Sequence, residues 1–189
     1  MFDLTETAPP AALPIDASTL ALHLRLGEGF GAPTEETDLL ETYIRSATAH
    51  VERRTKLALV TRSLLLTVSD WDRAGHLTLP IGPVGAIASF RITDGTDPQD
   101  VTDFALEPGT QGQRLTGHGC AALAPIPTGS RAEIAFDAGF GTAANVPGDL
   151  TGAVLLLAAH YYEDRTGASS PGLPPAVAAL VRPHHQVRI

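Results

Sequence analysis

Between Asn145 and Arg165 the sequence reads as one helix, and from Ala153 to Ala159 no charged residue interrupts it. A helix at a protein surface shows one apolar stripe, whereas one that is apolar around its whole circumference is normally buried on all sides. Pro147 suits the first helical turn, where its missing N–H costs nothing, and Gly167 suits a C-terminal cap, so both ends are bounded. The cover has to come from other helices of the chain, from a neighbouring subunit, or from both.

Composition narrows the classes. With 189 residues, 43% of them hydrophobic and 18% charged, the chain is expected to fold, as one medium domain or as a helical core carrying a small insertion. No apolar run approaches the roughly 20 residues that cross a bilayer, so no membrane partner is expected. The first residues lack a basic segment followed by an apolar one, and the chain is therefore expected to act where it is made. Cys120 is the single cysteine, which excludes an internal disulfide framework. A net charge of −8 argues against a nucleic-acid-binding surface, which needs clustered Lys and Arg. Residues 165–189 hold three of the 13 Lys and Arg, two histidines and no carboxylate, leaving ten basic residues against all 21 acidic ones in the first 164. A basic arm follows an acidic body.

Residues 1–15, with Pro9, Pro10 and Pro14, read as a flexible lead-in that folds only against a partner. Asp16 or Ser18 can cap a short helix through Leu20, Leu22, Leu24 and Leu26, which Gly27, Gly29 and Gly31 end. Thr34 starts a second helix with Glu35, Glu36 and Asp38 in its first turn and Arg53, Arg54 and Lys56 in its last, a polarity that complements the helix dipole. Leu40, Tyr43 or Ile44, Ala47 and Val51 give it one buried stripe, and Glu41, Arg45 and Glu52 give it a polar back. From about residue 59 to 138 short β-type runs alternate with Gly, Pro and Asp; the candidate strands are 64–68, 76–79, 84–93, 101–106 and 131–138, with a turn at Asp94-Gly95. Residues 108–129 read as a glycine-rich loop with at most one short strand. A linker at 168–175 precedes a last short helix, 176–181, and the final residues read as an extended arm.

Three groups of side chains invite a chemical reading. His118 and Cys120 stand two residues apart, and a Cys/His pair is the minimum for thiolate nucleophilic catalysis. Adjacent loop residues seldom orient each other as base and nucleophile, and no third orienting group is evident, so the structural reading is preferred. His160 and Glu163 form a His-x-x-Glu fragment, but zinc needs three or four converging ligands, and Tyr161, Tyr162 and Arg165 alongside favour an interface. His184-His185 could bind metal or sense pH, although a pair at a chain end is more often solvated or docked. There is no phosphate-binding loop, dinucleotide fingerprint or nucleophile elbow, so neither an enzyme nor any cofactor or metal is expected.

In order and spacing, four blocks of the chain resemble the head–tail connector (adaptor) proteins of tailed bacteriophages, a family that also occurs in phage-derived particles such as gene transfer agents. The first is residues 36–55, with Leu40-x-x-Tyr43-Ile44-x-x-Ala47 and Val51-Glu52-x-x-Thr55. The second is Leu79-Pro80-x-x-Pro83-Val84 and the strand and turn after it. The third and most specific is Ala138-Gly-Phe-Gly141, Val146-Pro147 and Leu156-Leu157-x-x-His160-x-Tyr162-x-x-Arg165; the fourth is the close from Leu173 to a short basic tail at Ile189. The loop at 108–129 has no landmark of the family.

The resemblance implies a ring, commonly of twelve subunits, between the portal vertex of the capsid and the first tail protein, with DNA passing through its lumen. It implies a homo-oligomer that binds a portal protein and a stopper or other tail-proximal protein. It also implies a virion or virus-like particle as the final location, and assembly in the bacterial cytoplasm. The portal-docking arm would be Arg182, Pro183, His184, His185, Gln186, Val187, Arg188 and Ile189, and the subunit interface or bundle core would use Leu155, Leu156, His160, Tyr161, Tyr162 and Arg165. Carboxylates lining the lumen would repel DNA phosphates and let the genome slide. The expected fold is α+β: a mostly α-helical bundle of three to four helices (residues 16–57 and 145–181), an inserted small β-rich domain (58–144) and an extended C-terminal arm (182–189). The alternatives are a tail-completion or stopper protein of the same stack, a thiol enzyme using Cys120 and His118, and a binding module that forms no ring.

Overall fold

Along Arg62–Val68 (β2) and Arg131–Ala138 (β8) every second residue is buried, the period of a strand with one face on a core. Their antiparallel register sets Leu64 opposite Phe136, Leu66 opposite Ile134 and Val68 opposite Ala132, so the inward side chains meet in rows. These strands belong to a computed structural model that describes residues 2–26, 33–109, 112–164 and 172–184. The class is α+β, and the chain divides into a β unit, Thr61–Gly139 with residues 2–11, and a helical unit, Ala12–Val60 with residues 140–184.

In the β unit a five-stranded antiparallel sheet has the order β1, β2, β8, β4, β5, where β1 is Phe2–Ala8, β4 is Val84–Thr93 and β5 is Gln99–Asp100. The N-terminal segment, expected as a flexible lead-in awaiting a partner, is corrected: it is an edge strand of the chain's own sheet. Leu4 pairs with Leu66 and Glu6 with Leu64, Thr7 Oγ1 donates to the Ser63 carbonyl at 3.0 Å, and Glu6 meets Arg62 at 3.3 Å. Its prolines follow the strand, and main-chain pairing at an edge needs no apolar alternation, so composition hid it. Irregular register between Val84 and Ala86 and between Ile87 and Ser89 breaks the alternation of β4 while returning Phe90 opposite Ile134. The Asp94-Gly95 turn is present, with Gly95 at φ 100° and the Asp94 carboxylate accepting from the Thr96 and Asp97 N–H groups.

A second sheet orders β3 (Leu77–Thr78), β7 (Gly112–Thr116) and β6 (Ala105–Gly109). The strand expected at 101–106 therefore lies a few residues later. Val101 donates its N–H to the Phe90 carbonyl, and the Phe104 ring sits edge-on to Phe90 at 5.5 Å, which keeps this stretch extended but outside the second ladder. β7 is the short strand in the glycine-rich region, and the Gln113 amide bridges to the first sheet by accepting from Val84 N–H and donating to Val84 O.

The helical unit packs α1 (Ala17–His23), α2 (Pro33–Thr55), α3 (Gly148–Glu163) and α4 (Pro175–Val181) around one apolar cluster. Asp16 is the α1 cap, accepting from the Thr19 N–H at 2.7 Å; Gly27, Gly29 and Gly31 lie outside the described residues. Leu40, Ile44, Ala47 and Val51 form the buried stripe of α2. Glu52, expected on the polar back, is corrected: it is 7% exposed and its Oε1 accepts the Leu59 N–H at 2.8 Å. A carboxylate at that place satisfies a main-chain donor left beyond the helix end. The unit boundaries fall at 60/61 and 139/140 rather than at 57/58 and 144/145, because Leu59 and Val60 are buried in the helical cluster and Phe140 donates its N–H to the Leu59 carbonyl.

Candidate functional site

α3 shows how far the chain covers its own most apolar helix. Leu150, Ala153, Val154, Leu157, Ala158 and Ala159 are buried, while Leu155 and Leu156 are half-buried at the margin of the same cluster. Pro147 is the residue that precedes the helix rather than part of its first turn, and Asp164 ends it; Gly167 and Arg165 lie outside the described residues.

At the C-terminal end of α3 the aromatic side chains reach across to α2. The Tyr161 hydroxyl and His50 Nδ1 are 2.8 Å apart, and Tyr162 and Tyr43 meet edge-on with centroids 6.0 Å apart. Burial, then the neighbouring Arg53 and Arg54 charges, hold the His50 pKa below its usual 6.5, and burial raises that of Tyr161. Both groups are therefore predominantly neutral near pH 7, and the link is a neutral hydrogen bond rather than an ion pair. His160 lies against the Tyr161 ring at 6.3 Å, and among the described residues no three His, Cys, Asp or Glu side chains converge as metal ligands.

The second candidate element is the start of the C-terminal segment. Arg182, Pro183 and His184, expected as extended arm, form a 3-10 turn that continues α4, and His184 Nε2 bonds the Asp149 carboxylate in the first turn of α3. The His184 hydrogen bond and charge hold the Asp149 pKa below 3.8. The extended reading is thus corrected for these three residues: a side-chain anchor 35 positions away in sequence, invisible to local pattern, holds the turn in place. His185, Gln186, Val187, Arg188 and Ile189 lie outside the described residues. His50, Arg54, Gly172, Leu173, Ala178, Val181 and Arg182 line a groove of about 490 Å³.

The Cys120 and His118 pair does not assemble as base and nucleophile. Cys120 Sγ donates to Glu107 Oε2 at 3.0 Å, while His118 Nε2 stands 3.7 Å from Asp103. Glu107, by its hydrogen bond and its charge, raises the thiol pKa above 9.0, which suppresses the thiolate that catalysis needs. His50, Asp149 and Arg54 were not singled out from sequence as site residues. Their partners or neighbours lie on other helices or turns, and no local sequence pattern marks them.

The chain is similar over its whole length to a solved structure described as the neck of an empty GTA particle computed with C6 symmetry: 36% identity, 99% of this chain and 97% of that one covered, TM-score 0.87. It belongs to the family of gene transfer agent neck proteins. Two further structures agree. One, the virion of a native gene transfer agent (GTA) particle, is 36% identical with 98% and 96% covered and a TM-score of 0.83. The other, the neck of a native GTA particle computed with C12 symmetry, is 34% identical with 100% and 97% covered and a TM-score of 0.79. No protein-family model and no curated protein matches the chain.

Proposed function

We propose that the chain is a non-enzymatic adaptor that forms a homo-oligomeric ring, dodecameric, between the portal and the stopper or first tail protein of a phage-like particle, with DNA passing through its lumen. One observation carries this reading: the full-length match, at 36% identity, to a chain of a GTA neck whose structure was computed with cyclic symmetry. The residue-level findings are consistent with it. Half-buried Leu155 and Leu156 leave apolar surface at the rim of the bundle core, as a subunit interface requires. The raised Cys120 pKa speaks against the thiol enzyme. The portal-docking arm is assigned to residues 185–189, downstream of the His184 anchor. Electron microscopy of purified particles carrying a tag fused to this chain tests the proposal: label is expected at the head–tail junction, and label on the capsid shell or tail tip would refute it.

A further inference from the structure

We infer that the groove beside the C-terminal end of α2 is the receiving half of the contact between ring subunits, and that its occupant is the acidic N-terminal end of α2 from a second copy of this chain. The inference deepens the ring reading and rests on it. Arg54 and Arg182 line the groove, with Leu173, Ala178 and Val181 as its apolar part. Arg53 and Lys56 beside them are also exposed, so this end of the helical unit is cationic on a chain of net charge −8. Some exposed charges pair within the chain: Arg45 with Glu41, Arg91 with Asp100, Arg131 with Glu133. Among the described residues, Arg54 and Arg182 have no such partner, and neither do Glu35 and Asp38 at the far end of α2.

Glu35, Asp38 and Leu39 fall at i, i+3 and i+4, which places them on one face of the helix. All three are exposed, and Leu39, at 39%, is among the few large apolar side chains left in water. An acidic face with one leucine matches a groove with two arginines and an apolar floor in both charge and polarity. Charge alone also permits a reciprocal contact about a two-fold axis; the ring reading selects the head-to-tail form, the type that repeats around a closed ring.

Crosslinking in assembled particles tests this. In a Cys120→Ser background, Glu36→Cys and Arg53→Cys flank the proposed contacts without removing them, and 17 residues of helix keep them about 26 Å apart within one copy. A bismaleimide much shorter than that distance is expected to give a ladder of covalent multimers from the double variant and none from either single one. Separately, Arg54→Glu is expected to lower incorporation into particles about tenfold, and Arg54→Glu with Asp38→Arg to recover most of it. No ladder at normal incorporation, or a charge-swapped pair no better than Arg54→Glu, overturns the contact and leaves the ring reading standing. Absence of the unsubstituted chain from the head–tail junction overturns the ring reading and the contact with it.

Discussion

Glu52 illustrates how one buried polar atom outweighs a pattern. Its carboxylate is withdrawn from water and accepts the Leu59 N–H, so removing it leaves a buried donor unmade. Glu52→Ala is expected to cost about 1–3 kcal/mol in urea unfolding, and Glu52→Gln, which keeps an acceptor, much less. Leu157→Ala, at a fully packed position of α3, is expected to cost about 2–5 kcal/mol by the same measurement. The Asp149 anchor adds a pH dependence with a definite sign. Because its pKa is lower folded than unfolded, the contribution is full above the unfolded value of about 3.9 and is lost as pH falls through the folded one. Asp149→Asn is therefore expected to loosen the turn at Arg182–His184 at neutral pH, seen as faster amide exchange there, and to flatten the acid limb of the stability curve below about pH 4. Unchanged exchange would show that the anchor does not hold the turn. Cys120, with its thiol pKa raised, is expected to alkylate at neutral pH more slowly than a cysteine in an unstructured peptide.

Among the elements, β1 and the last turn of α4 depart most from what local composition indicates. β1 covers the outer edge of β2, so deleting residues 2–8 is expected to expose an unpaired edge running along Leu64, Leu66 and Val68. Light scattering should report concentration-dependent aggregation of the truncated protein, and a monodisperse product would show the strand to be dispensable. The small sheet depends on a close approach at Gly75, at φ 74°, where an added Cβ would stand 2.6 Å from the Ala122 Cβ while the Gly75 carbonyl accepts the Leu123 N–H. Such strands are short, held by backbone contact, and poor in the alternation that makes β2 and β8 visible in sequence. α2, by contrast, carries a long periodic run whose core stripe is legible in the sequence. The wholly apolar run of α3 shows that it needs cover but not which residues face the core: Leu155 and Leu156, expected at the interface or bundle core, are half-buried, and Leu150, Val154 and Leu157 are buried.

For the whole molecule, the proposed docking arm starts beyond the His184 anchor. Truncation after His184 is expected to keep the bundle folded, with a melting temperature near that of the full chain, and to abolish portal attachment in a pull-down. Attachment by the truncated protein would move the docking function elsewhere. The charge asymmetry between acidic body and basic tail is a property of the sequence alone, whereas the groove that gathers Arg54 with Arg182 exists only once α2 and α4 are packed.

Sequence by itself determined the class: an apolar helix in need of cover, an amphipathic helix to supply part of it, a β-rich insertion between them, and a resemblance spread over four blocks. It did so because apolar periodicity and turn residues act locally. Only the tertiary structure decided which polar groups meet. The His50–Tyr161 pair, 111 positions apart, the Asp149–His184 anchor and the pairing of β1 with β2 all join distant stretches, and neither a buried polar partner nor an edge strand leaves a periodic trace in the chain. α3 is covered on most sides by its own bundle, with Leu155 and Leu156 left half in water, because the three other helices close around it on the faces that Leu150, Val154 and Leu157 occupy.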